Sequence, residues 1–220
     1  LFVIRDSRGF DVVEGVLGAK WSGTAIHDGW APYDRLEEAD HQQCVQHPIR
    51  RCKRLLEIAT RGAVRYPRAV LGFLQNAFAV RDRRDAGEYW PHGLKIAIGK
   101  LEAGLERLLG WTLSNPANVK LRNHLAKHQD EWLLFLKRPW IEGTSWPVDQ
   151  ASRGALANRK VFGGNRDGRG ARAQERLSSV LATAAQRGVE IVGYLTRVLC
   201  APRDQRDQLA CRLLTLPAPT

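Results

Sequence analysis

The order of apolar and polar residues divides the chain into an amino-terminal part of short apolar runs and a longer remainder with helical spacing. Leu1-Phe2-Val3-Ile4 is a continuous apolar run and predicts a short buried strand. Phe10, Val13, Val16 and Leu17 recur at helical intervals and predict a helix that Gly18 stops. Thr24-Ala25-Ile26 predicts a second strand, and it ends sharply at His27-Asp28-Gly29. A short helix is expected over Tyr33 to Ala39. His41-Gln42-Gln43-Cys44-Val45-Gln46-His47 then reads as a strand edge leading into a helix from Pro48 to about Arg61. That helix would carry Ile49, Cys52, Leu55, Leu56 and Ala59 on one face.

From Pro67 onward the spacing is helical almost throughout. Val70, Leu71, Phe73, Leu74, Ala77 and Phe78 mark a helix over Ala69 to Val80. Leu94, Ile98, Leu101, Leu105 and Leu108 form a clear stripe along Leu94 to Leu109. Ser114-Asn115-Pro116 is a cap followed by proline in the first turn, and the helix it starts is expected to run to Leu136. Leu121, Leu125, Trp132 and Phe135 would be its buried side. Residues 139–170 read as irregular, with a short helix at Val148 to Ala157. Two further helices follow, Arg172 to Arg187 before Gly188 and Val189 to Leu199 before Pro202; one more turn is expected beyond Arg203. Strands interleaved with helices and then a long helical stretch predict an α/β layer with a helical insertion, in which ligands favour the carboxyl ends of strands.

Charge changes this picture. The 220 residues carry 34 Lys and Arg against 23 Asp and Glu, a formal net charge of +11, which favours a polyanionic partner. With 44% hydrophobic residues a packed core is expected rather than disorder. No run approaches the roughly 20 apolar residues of a membrane span, and LFVI lacks the flanks of a signal peptide, so the chain reads as cytoplasmic. Four cysteines, Cys44, Cys52, Cys200 and Cys211, are unevenly spaced and read as free thiols. The chain opens on Leu1 and contains no Met, which reads as a sequence whose beginning lies upstream.

Three segments taken together resemble the insertion-sequence transposases of the IS66 family. They are IRDSRGFDVVEGVLGAKWSGTAIHDGWAPYDRL from Ile4 to Leu36, HQQCVQHPIRRCKRLLE from His41 to Glu57, and NRKVFGGNRDGRGARAQERLSSVLATAAQRG from Asn158 to Gly188. The resemblance implies a ribonuclease-H-like fold with an acidic triad that holds Mg2+ or Mn2+ against a DNA phosphate. On that basis the fold class is α/β, an incomplete ribonuclease-H-like mixed sheet with a large all-helical insertion and C-terminal helices. The implied divisions are a partial core over 1–65, the insertion over 66–138, a returning catalytic-helix segment with C-terminal helices over 139–200, and a tail over 201–220.

The same resemblance places the second acid of the triad at Asp28. Its first Asp would precede Leu1, and its Glu position is occupied by Asp149, anchored by Asn158-Arg159-Lys160. These two departures imply an inactive or non-autonomous transposase fragment. The alternative is a non-catalytic basic protein that binds DNA or partners a transposase. Implied partners are transposon ends and target DNA, together with a second copy of the chain or a full-length transposase.

Residue by residue, other readings stand beside these. Asp28 before Gly29 is also a common turn dipeptide. Asp149 is also a carboxylate at a helix start. His41, Cys44 and His47 are zinc-ligand types, but their spacing converges only on a helix or loop and no fourth ligand is evident. Arg50, Arg51, Lys53 and Arg54 read as a solvated helix face. Arg153, Arg159, Lys160, Arg166 and Arg169 read equally as a flexible basic loop or as candidates for DNA phosphate contacts, in a segment where Gly163, Gly164, Gly168 and Gly170 allow close backbone approach. Trp111, Trp132 and Trp140 read as core rather than base-stacking platforms.

Overall fold

A computed structural model describes residues 1–206, 208 and 209. It divides into two compact units: Gly9–Val148, and Leu1–Arg8 together with the residues from Asp149 onward. Helices dominate both, and the described strands form one parallel pair. Among the described residues no helix is long and apolar enough to cross a membrane.

The Gly9–Val148 unit begins with helix α1, Phe10–Leu17, which stops at Gly18 with φ 87°. That left-handed value is open to glycine at little steric cost. Phe10 and Val13 pack with Leu36, Trp21, Trp30 and Tyr33 into a small core. Strand β1, Thr24–His27, pairs in parallel with β2, Asp40–Gln43, in the register Thr24↔Asp40 to His27↔Gln43. The short helix expected over Tyr33 to Ala39 is instead a 3-10 turn at Ala31–Arg35. Pro32 sets its first turn early, and Leu36 leaves helical geometry at ψ 69°.

Helix α2, Gln46–Ile58, follows β2 directly and buries Pro48, Ile49 and Cys52. The next helices are longer than their apolar stripes predict: α3 spans Arg65–Asp85 and α4 spans Pro91–Leu109. Both bury one face in the main core, which also takes Val45, Tyr66, Leu121, Leu125, Trp132, Phe135 and Ile141. Helix α5, Pro116–Lys127, starts where the sequence says it should, with the Asn115 side chain accepting the amides of Ala117 and Asn118.

It does not run on to Leu136. The chain leaves the helix at His128 (φ −117°, ψ 31°), passes a 3-10 turn at Gln129–Glu131, and makes one further turn as α6, Leu134–Lys137. The reason is a buried side chain on β2. Gln42 accepts the Phe135 amide at 2.8 Å and donates to the carbonyls of Gln43 at 2.7 Å and Trp132 at 3.3 Å. Backbone groups that a continuous helix would pair internally are satisfied by that amide instead. Arg84 of α3 donates to the carbonyls of Phe135 and Leu136, closing the end of α6. Trp132 is buried as expected; Trp111, at 37%, and Trp140, at 77% relative exposure, are not core residues.

The segment over 139–170, which passes from the Gly9–Val148 unit into the other, is more ordered than expected. Helix α7, Trp146–Phe162, begins in the first unit and extends past Ala157, and Gly163 and Gly164 end it with φ 77° and 85°. Helix α8, Gly168–Gln186, is capped by Asp167, whose carboxylate accepts the Gly170 amide at 2.7 Å. Helix α9, Ile191–Cys200, packs Tyr194 against Ala184 with Val180, Val189 and Leu195.

Leu1–Ile4 is not a strand. The Phe2 amide donates to Ser179 Oγ at 2.9 Å and the Ile4 amide to Glu175 Oε2 at 3.0 Å, so the run lies along α8 with side chains in place of a ladder. Arg5 also pairs with Glu175. The tail expected over 201–220 lies for the most part outside the described residues.

Candidate functional site at the carboxyl end of β1

Parallel strands bring their carboxyl ends to one rim, and the rim of this pair carries His27, Asp28 and Gly29 from β1 and Gln43 and Cys44 from β2. Asp28 is exposed, and its Oδ1 accepts the Trp30 amide at 3.2 Å. Tyr33 lies close enough for the Asp28 charge to add to burial in raising the tyrosine's pKa.

Beneath Asp28 is a buried polar layer. His27 is 4% exposed, and its Nδ1 accepts the Gly29 amide at 3.1 Å. Its Nε2 lies 3.0 Å from His41 Nδ1, and His41 Nε2 lies 3.0 Å from the Leu36 carbonyl. Glu131 accepts from Gln43 Nε2 at 2.5 Å and lies 3.1 Å from His128 Nδ1. His124 stacks edge-on against His128, with ring centroids 5.3 Å apart. Burial, then the neighbouring histidine, pushes the pKa of both His27 and His124 down to about 4: His41 acts on the first and His128 on the second.

His27, His41 and Glu131 offer ligand atoms within 4.8 Å of one another. Their hydrogen bonds do not fit a metal site. A metal at His27 Nε2 needs the proton on Nδ1, yet Nδ1 faces the Gly29 N–H, which is itself a donor. His41, Cys44 and His47, for which the sequence already argued against zinc, form no metal-ligand group among the described residues. Cys44 Sγ accepts the Ser145 amide at 3.3 Å, His47 Nε2 sits 3.2 Å from Arg50, and His41 turns to His27.

Gly29 has φ 85°, and a Cβ there would stand 2.8 Å from His124 Cε1 and 3.1 Å from Gln43 Oε1. Gly29→Ala is therefore expected to destabilise the unit by about 2–3 kcal/mol, from left-handed strain plus overpacking. Urea titration followed by circular dichroism measures this. A loss below about 0.5 kcal/mol, the range of neutral surface changes, would show that the close packing is not maintained in solution.

The other predicted residues lie in the second unit. Asp149 sits half-buried in the first turn of α7. Arg153, Arg159 and Lys160 on α7 and Arg166 in the following loop are all exposed, as is Arg169, which pairs with Asp167 at 3.6 Å. Arg159 also lines a cleft of about 380 Å³ with Gly164, Asn165, Gln174, Leu177 and Leu181. Beyond His27 and His41, the four-residue spacing of His124 and His128 is a sequence signal that could have located the buried layer. Nothing in the sequence marked Glu131 or Gln43 as its members.

In open α/β sheets ligands favour the carboxyl ends of the strands, and this parallel pair carries an exposed carboxylate at that rim. The chain belongs to the IS66 transposase family, whose match spans residues 1–173. No curated protein and no solved structure matches it.

Proposed function

We propose that the chain is part of the catalytic region of a DNA transposase that cleaves a phosphodiester and joins the freed 3′-hydroxyl to target DNA. The domain in this reading is ribonuclease-H-like, with the helices from α3 to α6 as its insertion. The carrying observation is Asp28, exposed at the carboxyl end of a parallel strand in a chain that matches an IS66 transposase over residues 1–173.

Asp28 and Asp149 are the proposed metal ligands. Carboxylate oxygens are the donors Mg2+ or Mn2+ prefers, and Asp28 commits Oδ1 to the Trp30 amide while its second oxygen is available to a ligand. Such ions, when bound, would activate the attacking oxygen and stabilise the leaving one. Arg153, Arg159, Lys160 and Arg166 would hold the DNA backbone by its phosphates, which positions the duplex without reading sequence.

Asp149 stands where the family pattern has Glu, so its reach is shorter by one methylene, and a displacement of roughly 1 Å at such a centre costs about a hundredfold. The chain is therefore read as an inactive or non-autonomous transposase, a cytoplasmic DNA-binding protein.

The test is a labelled duplex carrying the terminal inverted repeats of the insertion sequence, incubated with the purified chain and Mg2+ or Mn2+. Binding that weakens steeply with salt, without strand cleavage, is the expected result. Specific nicking lost in Asp28→Asn would overturn the non-autonomous part. Failure to bind DNA at low salt would overturn the whole reading.

A further inference from the structure

We propose that His27 is a positioning residue for Asp28, held in one tautomer by a hydrogen-bond relay that begins and ends on the backbone. The relay is Gly29 N–H to His27 Nδ1, His27 Nε2–H to His41 Nδ1, and His41 Nε2–H to the Leu36 carbonyl, at 3.1, 3.0 and 3.0 Å. The proposal rests on Asp28 being a metal ligand, as read above.

Each step admits one assignment. The Gly29 amide can only donate, so His27 Nδ1 carries no proton, and the neutral ring has its proton on Nε2. The Leu36 carbonyl can only accept, so His41 Nε2 carries the proton and His41 Nδ1 is the acceptor that faces His27. A different tautomer at either ring sets two donors or two acceptors against each other.

The relay fixes the geometry of the exposed acid. His27 is the last residue of β1, and its carbonyl accepts the Cys44 amide at 2.7 Å, continuing the parallel ladder. Its ring then takes the amide two residues on, and Asp28 does the same with Trp30 at 3.2 Å. Two successive side chains thus hold the turn that presents Asp28. The Tyr33 ring lies against His27, centroids 4.9 Å apart and tilted 31°, so the imidazole has little room to rotate. Partners of this kind commonly decide whether a ligand carboxylate is ready to bind or must first be ordered.

The experiment uses the 220-residue chain and two amide substitutions that differ by one methylene in reach. In His27→Asn the amide oxygen stands where Nδ1 stood and can still accept the Gly29 amide, while the contact to His41 is lost. In His27→Gln the amide reaches the Nε2 position and meets His41, leaving the Gly29 amide without its acceptor. A role limited to packing or to the His41 contact favours Gln; the positioning role favours Asn.

Amide hydrogen exchange at Gly29 is expected to stay slow in the wild type and in His27→Asn and to accelerate in His27→Gln. Mn2+ affinity, read from the electron paramagnetic resonance of free Mn2+, is expected to fall about tenfold or more in His27→Gln and to stay close to wild type in His27→Asn. Imidazole 15N spectra of the wild type, which need no variant, are expected to show Nε2–H at both His27 and His41.

A proton on His27 Nδ1, or equal exchange at Gly29 in the two variants, overturns the proposal. Mn2+ binding that is unchanged in Asp28→Asn overturns the reading of Asp28 as a ligand instead. The exchange and tautomer results stand apart from that outcome, so the two failures are distinguishable.

Discussion

Replacing Trp132 by alanine is expected to destabilise the Gly9–Val148 unit by about 3–5 kcal/mol, the range for removing a fully buried large aromatic side chain. Trp132 is 1% exposed, lies edge-on to His124 with ring centroids 5.5 Å apart, and donates Nε1–H to the Leu125 carbonyl at 3.0 Å. Its removal opens a cavity between α5 and α6 and leaves that carbonyl at the end of α5 without its partner. Total stabilities of about 5–15 kcal/mol make this a large fraction of what holds the unit together. Trp132→Phe keeps most of the volume and loses mainly the hydrogen bond, so its cost should be about 1–2 kcal/mol, the usual penalty for leaving a buried acceptor unpaired. Urea midpoints by circular dichroism measure both. Equal losses for Ala and Phe would mean that the hydrogen bond, not the ring's bulk, stabilises this corner.

Acidification is expected to weaken the same unit at a pH where most proteins are indifferent to it. His27 and His124 have folded pKa values lowered from 6.5 to about 4. Below the unfolded value the unfolded chain takes up protons that the folded chain refuses, so the fold loses stability as pH falls from 6.5 towards 4. Above that window the two states bind equally and the effect vanishes. At about 1.36 kcal/mol per unit, buried His27 withdraws on the order of 3 kcal/mol across the full window, and half-buried His124, partly screened by solvent, withdraws less. Ordinary carboxylates titrate near the lower end, so the slope between about pH 6.5 and 5 isolates the histidines. Urea unfolding at several pH values, with His124→Gln as the control that removes part of the slope, provides the measurement. A flat profile in that range would show that these rings are solvated.

Most of the element boundaries were legible because local chemistry set them. Gly18 ends α1, Asn115 and Pro116 start α5, and the stripe from Leu94 to Leu108 marks α4, all from signals within a turn of the boundary. What the sequence concealed depends on partners far along the chain. The break after Lys127 follows from Gln42, which reads as an ordinary polar residue until the fold buries it against Phe135. Leu1–Ile4 looks like a strand by composition, yet its amides are taken by Ser179 and Glu175, which no local pattern can indicate.

The candidate site divides in the same way. Asp28 was marked by its abrupt position before Gly29, and the family match agrees with the segments that drew attention to it. His27 stood beside it unremarked, since a histidine on a strand carries no sign of what its ring will meet. The layer it joins comes from β1, β2, α5 and the 3-10 turn after it, segments that only folding brings together. Asp149 lies at the start of α7, within the Gly-Arg-rich segment that sequence spacing could place but not describe.

The parallel register of β1 and β2 gives the pair two ends of unequal consequence. At the amino end the Asp40 amide is held by the Gly23 carbonyl at 3.0 Å and the Asp40 side chain by Arg138, a half-exposed ion pair worth at most about 1 kcal/mol. Damage there is a deficit of folding, and any mutation that stabilises the domain elsewhere should compensate for it. On the reading of Asp28 as a metal ligand proposed above, damage there removes a ligand oxygen from the surface and has no such remedy. On that reading, second-site suppressors selected for the ligand function should accumulate against lesions at the Asp40 end of the pair and not against lesions at Asp28.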